Sequence, residues 1–146
     1  MSISSIRSAP KFRQTVLLID DQTTVLDIHA VILKSLKMDL KIVKMTSPVE
    51  ALEWMKNKQV DLIITDFRMQ QMNGMEFVRT IKNAAHVLWG SIIVVTVLKD
   101  KTIHQESLSA GASACLTKPA QTQDLASVAK SLLDQSKQHY NLGLVD

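Results

Sequence analysis

The chain of 146 residues has few of the residues that build unusual architectures. Its one cysteine, Cys115, can close no internal disulfide, which suits a reducing compartment. Four glycines and three prolines exclude collagen-like and low-complexity chains. Aromatics are only 4% of the chain, too few for a stacking platform that would hold single-stranded nucleic acid. Neither sign of charge dominates: 17 Lys and Arg against 14 Asp and Glu leave a net +3. The basic residues are scattered in small groups (Arg7, Lys11 and Arg13; Lys99 and Lys101), so no direct nucleic-acid partner is expected. No apolar run approaches the roughly 20 residues of a membrane-crossing helix. The longest, Ile92 to Leu98, is interrupted by Thr96, and no membrane association is expected. The amino end, MSISSIRSAPKFRQT, has neither the apolar core nor the cleavage site of a secretory signal. A cytoplasmic protein is expected.

A hydrophobic share of 46% with 21% charged residues is enough for one ordinary globular core. Apolar runs at Val16–Asp20, Leu40–Thr46, Asp61–Asp66, Ser91–Val97 and Ala114–Lys118 alternate with helical patterns. VLLI, LIIT and IIVVTV are almost wholly apolar, as parallel strands covered on both faces are. The second run carries Lys41 and Lys44 and the fifth is short, which marks both as edges. The first helix is expected to bury Val25, Ile28, Ile32 and Leu36, and the last Leu125, Val128, Ala129, Leu132 and Leu133. Ser47-Pro48-Val49-Glu50 predicts a capping box opening a helix to about Asn57, and Asn73-Gly74-Met75-Glu76 repeats the spacing. The fourth helix, over 101–110, has only Ile103 and Leu108 as apolar anchors and should end at Gly111. The result is an α/β, doubly wound (βα)₅ three-layer sandwich with a parallel five-stranded sheet of order 2-1-3-4-5 (flavodoxin-like). Residues 14–138 are expected to form the domain, with an extension over 1–13 and a tail over 139–146.

Ligands bind such sheets beyond the carboxyl ends of the strands, near the switch between strands 1 and 3. Strand 1 ends in Asp20-Asp21, strand 3 in Asp66, strand 4 near Thr96 and strand 5 in Lys118-Pro119. Any one of these alone is an ordinary cap, turn or hydroxyl; their arrival at successive strand ends is not. Two carboxylates about 4 Å apart repel by on the order of 4 kcal/mol at an effective dielectric near 20. A hard divalent cation and the Lys118 ammonium would neutralise the cluster. Oxygen donors without His or Cys favour Mg²⁺. A carboxylate beside a metal, a lysine and a hydroxyl is a nucleophile suited to phosphorus, giving an acyl phosphate.

The stretches VLLIDDQ (16–22), DLIITDFRM (61–69), MNG (72–74), IIVVT (92–96) and LTKP (116–119) resemble the CheY-like receiver domain of two-component response regulators. The resemblance covers about residues 14–137. It implies that Asp66 accepts a phosphoryl group from a sensor histidine kinase or a phosphotransfer protein. Mg²⁺ would be held by Asp20, Asp21, Asp66 and the backbone carbonyl of Arg68. Lys118 would contact the phosphoryl oxygens, Thr96 would swing to bond one of them, and the Lys118–Pro119 peptide would be cis. The downstream protein target would read the face of the fourth helix, fifth strand and last helix, with a monomer or a phosphorylation-dependent dimer as the assembly.

Three positions depart from the family. Cys115 stands where a Tyr or Phe usually accompanies the Thr movement, so a switch built on Thr96 and an aromatic is not available in its usual form. Gln70 replaces a proline, which should loosen the loop after Asp66. Arg68 and Leu98 lie two residues after Asp66 and Thr96, where they would obstruct an attacking water and prolong the phosphorylated state. Two other functions compete. A pseudo-receiver would bind partners without phosphorylation; the complete set of five residues speaks against it and Cys115 for it. An aspartate-nucleophile phosphatase would need a second acid where Arg68 stands. His29, His86, His104 and His139 lack metal-ligand spacing. Cys115 reads as a small hydrophobe, and Met69, Met72 and Met75 as packing residues.

Overall fold

In the computed structural model, which describes residues 13–84, 88–97, 101–118 and 122–141, every expected apolar run is a strand. They are β1 (Gln14–Ile19), β2 (Leu40–Met45), β3 (Gln59–Asp66), β4 (Leu88–Thr96) and β5 (Ala114–Thr117). All neighbours pair in parallel in the order β2-β1-β3-β4-β5. The helices are α1 (Thr23–Lys34), α2 (Pro48–Met55), α3 (Gly74–Lys82), α4 (Lys101–Ala110) and α5 (Thr122–Asn141). The expected extension lies almost wholly outside the described residues, and α5 runs on into the segment expected as a tail.

Strand alternation divides the core in two. Leu17, Ile19, Ile63, Ile92 and Val94 face α2, α3 and α4, which supply Ala51, Met55, Phe77, Val78, Ile81 and Ala110. Val16, Leu18, Leu62, Ile64, Ile93 and Val95 face α1 and α5, which supply Leu26, Ala30, Leu33, Leu125, Ala129 and Leu133. Each such fully buried aliphatic side chain contributes about 1.5–3 kcal/mol relative to exposure, so the central strands are the most firmly held part. The edge strands are β2, with Lys41 and Lys44 exposed, and β5, with four residues.

α1 corrects part of the expectation: Ile32 is buried and Leu36 packs on the core as expected, but Ile28 does not. The helix's buried residues are Leu26, His29, Ala30, Ile32 and Leu33, while Ile28 is 53% exposed. Residues 22–36 contain two overlapping apolar stripes, and the rotation at which the helix leaves the Asp20-Asp21 turn decides which one meets the sheet. Small Ala30 then allows close approach. α2 ends at Met55, and its cap is half of a capping box: Ser47 Oγ accepts from the Glu50 amide at 3.1 Å but donates to Gln71 Oε1 at 2.6 Å. α3 has the full reciprocal box, Asn73 with Glu76. α4 buries only Ser107 and Ala110 among its residues, with Leu108 47% exposed. It ends as expected at Gly111, whose φ of +126° glycine tolerates best.

Candidate functional site

Three strands deliver charge to one point. The β1 ladder stops at Ile19, and Asp20 follows with its amide donating to the Met45 carbonyl at 3.2 Å. Asp20 is 1% exposed. Its Oδ1 accepts from the Gln22 amide at 2.9 Å and its Oδ2 from Lys118 Nζ at 2.7 Å. The same Nζ lies 3.0 Å from Asp66 Oδ1. Lys118 reaches there because its own amide donates to the Thr96 carbonyl at 2.6 Å, fixing the end of β5 beside β4. Asp21 is exposed, at the mouth of the site. One carboxylate oxygen from each of Asp20, Asp21 and Asp66 lies within 4.8 Å of the others.

Burial pushes the Asp66 carboxyl above the usual carboxylate range; the Lys118 hydrogen bond opposes this, and the Asp20 charge adds to it. For Lys118, burial disfavours the charged form, but hydrogen bonds and charge from Asp20 and Asp66 outweigh it and hold the ammonium above its ordinary value. A permanent cation therefore sits between two buried carboxylates. It does not neutralise the third. The donor set is all oxygen, without His or Cys, and it fits a small hard dication that keeps several waters, namely Mg²⁺.

The backbone behind Asp66 is pinned. The Phe67 amide donates to the Val95 carbonyl at 2.9 Å, and the Gly74 amide to the Phe67 carbonyl at 2.7 Å. A Cβ on Gly74 would stand 2.8 Å from the Asp66 carbonyl oxygen and 3.1 Å from Phe67 Cα, so α3 can start this close only from glycine. Gln71 is tied to Ser47, so the loop bearing Gln70 is anchored at its far side despite the missing proline. Exposed Arg68 lines a cleft with Asp21, Phe67, Met69, Gln70 and Asn73.

Thr96 is buried at the end of β4, and Cys115 is half-buried, with burial raising its thiol pKa and Ser107 partly offsetting that. Thr96, Asp20, Asp21, Asp66 and Lys118 are thus all at the carboxyl edge of the sheet. Leu98, Pro119 and His86 lie outside the described residues. Sequence reasoning weighed His29 only for metal-ligand spacing and did not anticipate its burial. It is buried in α1, where burial and then the Lys118 charge lower its pKa, while Asp20 raises it. It also missed that Thr117 Oγ1 lies 3.5 Å from His104 Nε2. Only the rotation of α1 and the seating of α4 reveal these two.

An acidic triad closed by a lysine, at the carboxyl edge of a 2-1-3-4-5 parallel sheet, fits a phosphoaccepting, magnesium-dependent signalling module. The chain belongs to the response regulator receiver domain family, which matches residues 16–130. It is 29% identical over 123 residues to the cyclic di-GMP phosphodiesterase response regulator RpfG of Xanthomonas campestris. That match covers 84% of this chain but only 32% of the relative, so the chain spans about a third of that protein's length. The CheY-like receiver domain protein of Methanospirillum hungatei superposes with a TM-score of 0.72 at 26% identity, over 88% of this chain and 99% of that one. The chemotaxis response regulator CheY4 of Vibrio cholerae shares the fold at 24% identity, with a TM-score of 0.74, over 84% of this chain and all 100% of that one. No helix among the described residues is long and apolar enough to cross a membrane.

Proposed function

We propose that Asp66 is the phosphoacceptor and that its donor is a phosphohistidine of a sensor kinase or phosphotransfer protein. The observation that carries this reading is Lys118 Nζ at 2.7 Å from Asp20 and 3.0 Å from Asp66, with Asp21 completing the triad. An Asp66 carboxylate oxygen attacks phosphorus, the P–N bond breaks, and its electron pair returns to the imidazole. Charge moves onto the phosphoryl oxygens, and the Lys118 ammonium is positioned to stabilise it. Thr96, at the end of the adjacent strand, supplies a hydroxyl to one of those oxygens. Asp20, Asp21, Asp66 and the Arg68 carbonyl would hold Mg²⁺, which when bound screens carboxylate from phosphoryl charge. The new acyl phosphate carries nearly two negative charges and strong acceptors where one carboxylate stood. That change biases the thinly anchored α4, and the α4-β5-α5 face carries it to a protein target or to a further domain.

Incubation with Mg²⁺ and acetyl phosphate, followed by intact-mass measurement, tests this. Wild type should gain one phosphoryl group and Asp66→Asn none. No gain under any donor would support a partner-binding module without phosphorylation, the reading that Cys115 favours. Continuous release of phosphate from many substrates would support a phosphatase.

A further inference from the structure

Position 115, where the family's aromatic would move with Thr96, holds a thiol too small to sweep the same space. Cys115 pairs in register with Val94, and Thr117 with Thr96. Val94 and Cys115 pack on the core shared with α2, α3 and α4, and alternation puts Thr96 and Thr117 on that same face. Two residues of α4 meet β5 there, one turn apart. Ser107 is fully buried, and its hydroxyl has no hydrogen-bond partner among the described residues. His104 meets Thr117, Nε2 to Oγ1, at 3.5 Å, the far limit of a hydrogen bond. The side chain paired across the ladder from Thr96 is therefore not the one at 115 but Thr117, and its neighbour on the far side is on α4.

We propose that in this chain α4 is coupled to Thr96 through Thr117 and His104, with Cys115 transmitting nothing. This rests on the phosphoacceptor reading above. A threonine hydroxyl can turn between partners, donating to one while accepting from another, so Thr117 can follow a change at Thr96. α4 is the helix on which such a change would be read: it buries only Ser107 and Ala110, both small, and it meets β5 directly. Thr117 and His104 are positioning residues; neither touches the phosphoryl group.

The experiment uses the full chain with Mg²⁺ and beryllofluoride, a phosphoryl mimic, and reads hydrogen exchange of amides 101–110. Acetyl phosphate labelling of each protein is followed in parallel. In wild type, exchange in α4 should change by about tenfold on loading. Thr117→Val, which keeps shape and strand propensity, and His104→Ala should still be labelled at Asp66 to within about twofold while losing most of that change. Cys115→Ala should respond as wild type does. A full response in both Thr117→Val and His104→Ala, loss of the response in Cys115→Ala, or a labelled wild type whose α4 does not respond would each overturn the coupling. A wild type that is not labelled would instead overturn the phosphoacceptor reading, and this inference with it.

Discussion

Lys118 is the residue with least room for substitution, because removing it leaves two buried carboxylates facing each other without a cation. Breaking such a pair costs about 3–5 kcal/mol, more than the intact pair contributes. This imbalance explains why the site was legible in the sequence: a lysine or aspartate directly after VLLI, LIIT or ACLT has no packing reason to be there. Gly74 was visible only as a glycine after Asn73; the need for it lies in a carbonyl oxygen eight positions upstream, which no local pattern announces. Arg68 is legible as a position and not as a conformation. It is exposed and lines the cleft with Asp21, and the expectation is that it obstructs a water attacking the phosphorylated Asp66. If it obstructs that water, Arg68→Ala should speed loss of the phosphoryl group by up to about tenfold, worth about 1.4 kcal/mol of barrier. Decay of the labelled mass with time, in Mg²⁺ after donor removal, measures this. An unchanged rate would show that the guanidinium does not obstruct the water.

Among the elements, those whose ends are written in local chemistry were foreseen best. Asn73 with Glu76 sets the start of α3 through two side-chain bonds, and Gly111 stops α4 through its own φ. The rotation of α1 was not foreseen, because a helix carrying two apolar stripes chooses between them only when it packs. The stripe left outside has a consequence. Ile28 is 53% and Val31 66% exposed, and with Thr24, Asp27, Ile32 and Ser35 they line an apolar groove on a helix that starts beside Asp20 and Asp21. Under the phosphotransfer proposed above, an apolar groove on the helix that follows Asp20 and Asp21 suits docking of the donor protein. Ile28→Glu with Val31→Glu should therefore slow phosphoryl transfer from a histidine-phosphorylated donor protein by about tenfold or more. Labelling by acetyl phosphate, which needs no docking, should be unchanged. Equal loss with both donors would mean that the substitutions damage the site itself.

At the scale of the whole molecule, the two edges of the sheet have opposite assignments. The carboxyl edge collects charge; the amino edge is a clamp. There Asp61 accepts from the Thr15 amide at 2.8 Å and from Ser136 Oγ at 3.1 Å, while Gln14 Nε2 donates to the Leu133 carbonyl at 2.8 Å. Gly90 lets β4 pass Asp61 so closely that a Cβ would stand 2.5 Å from its carbonyl oxygen. The clamp ties β1, β3 and α5 together at the edge opposite the acidic site. None of it was legible, since residues 15, 61 and 136 meet only in the folded chain. Burial pushes the Asp61 carboxyl above its ordinary value, against the hydrogen bonds from Thr15 and Ser136. The folded state therefore binds this proton more tightly than the unfolded chain does. In the interval between the ordinary and the raised pKa, the native state holds more protons, so the Asp61 contribution to stability falls as pH rises and levels off above the raised value. Asp61→Asn removes the titration while its amide oxygen can still accept from Thr15 and its NH₂ can donate to Ser136. Urea unfolding from about pH 4 to 7 should then show wild-type stability, relative to the variant, declining with pH and reaching a plateau. A difference that is flat or rises over that interval would mean that the Asp61 carboxylate is held no less firmly in the fold than in water.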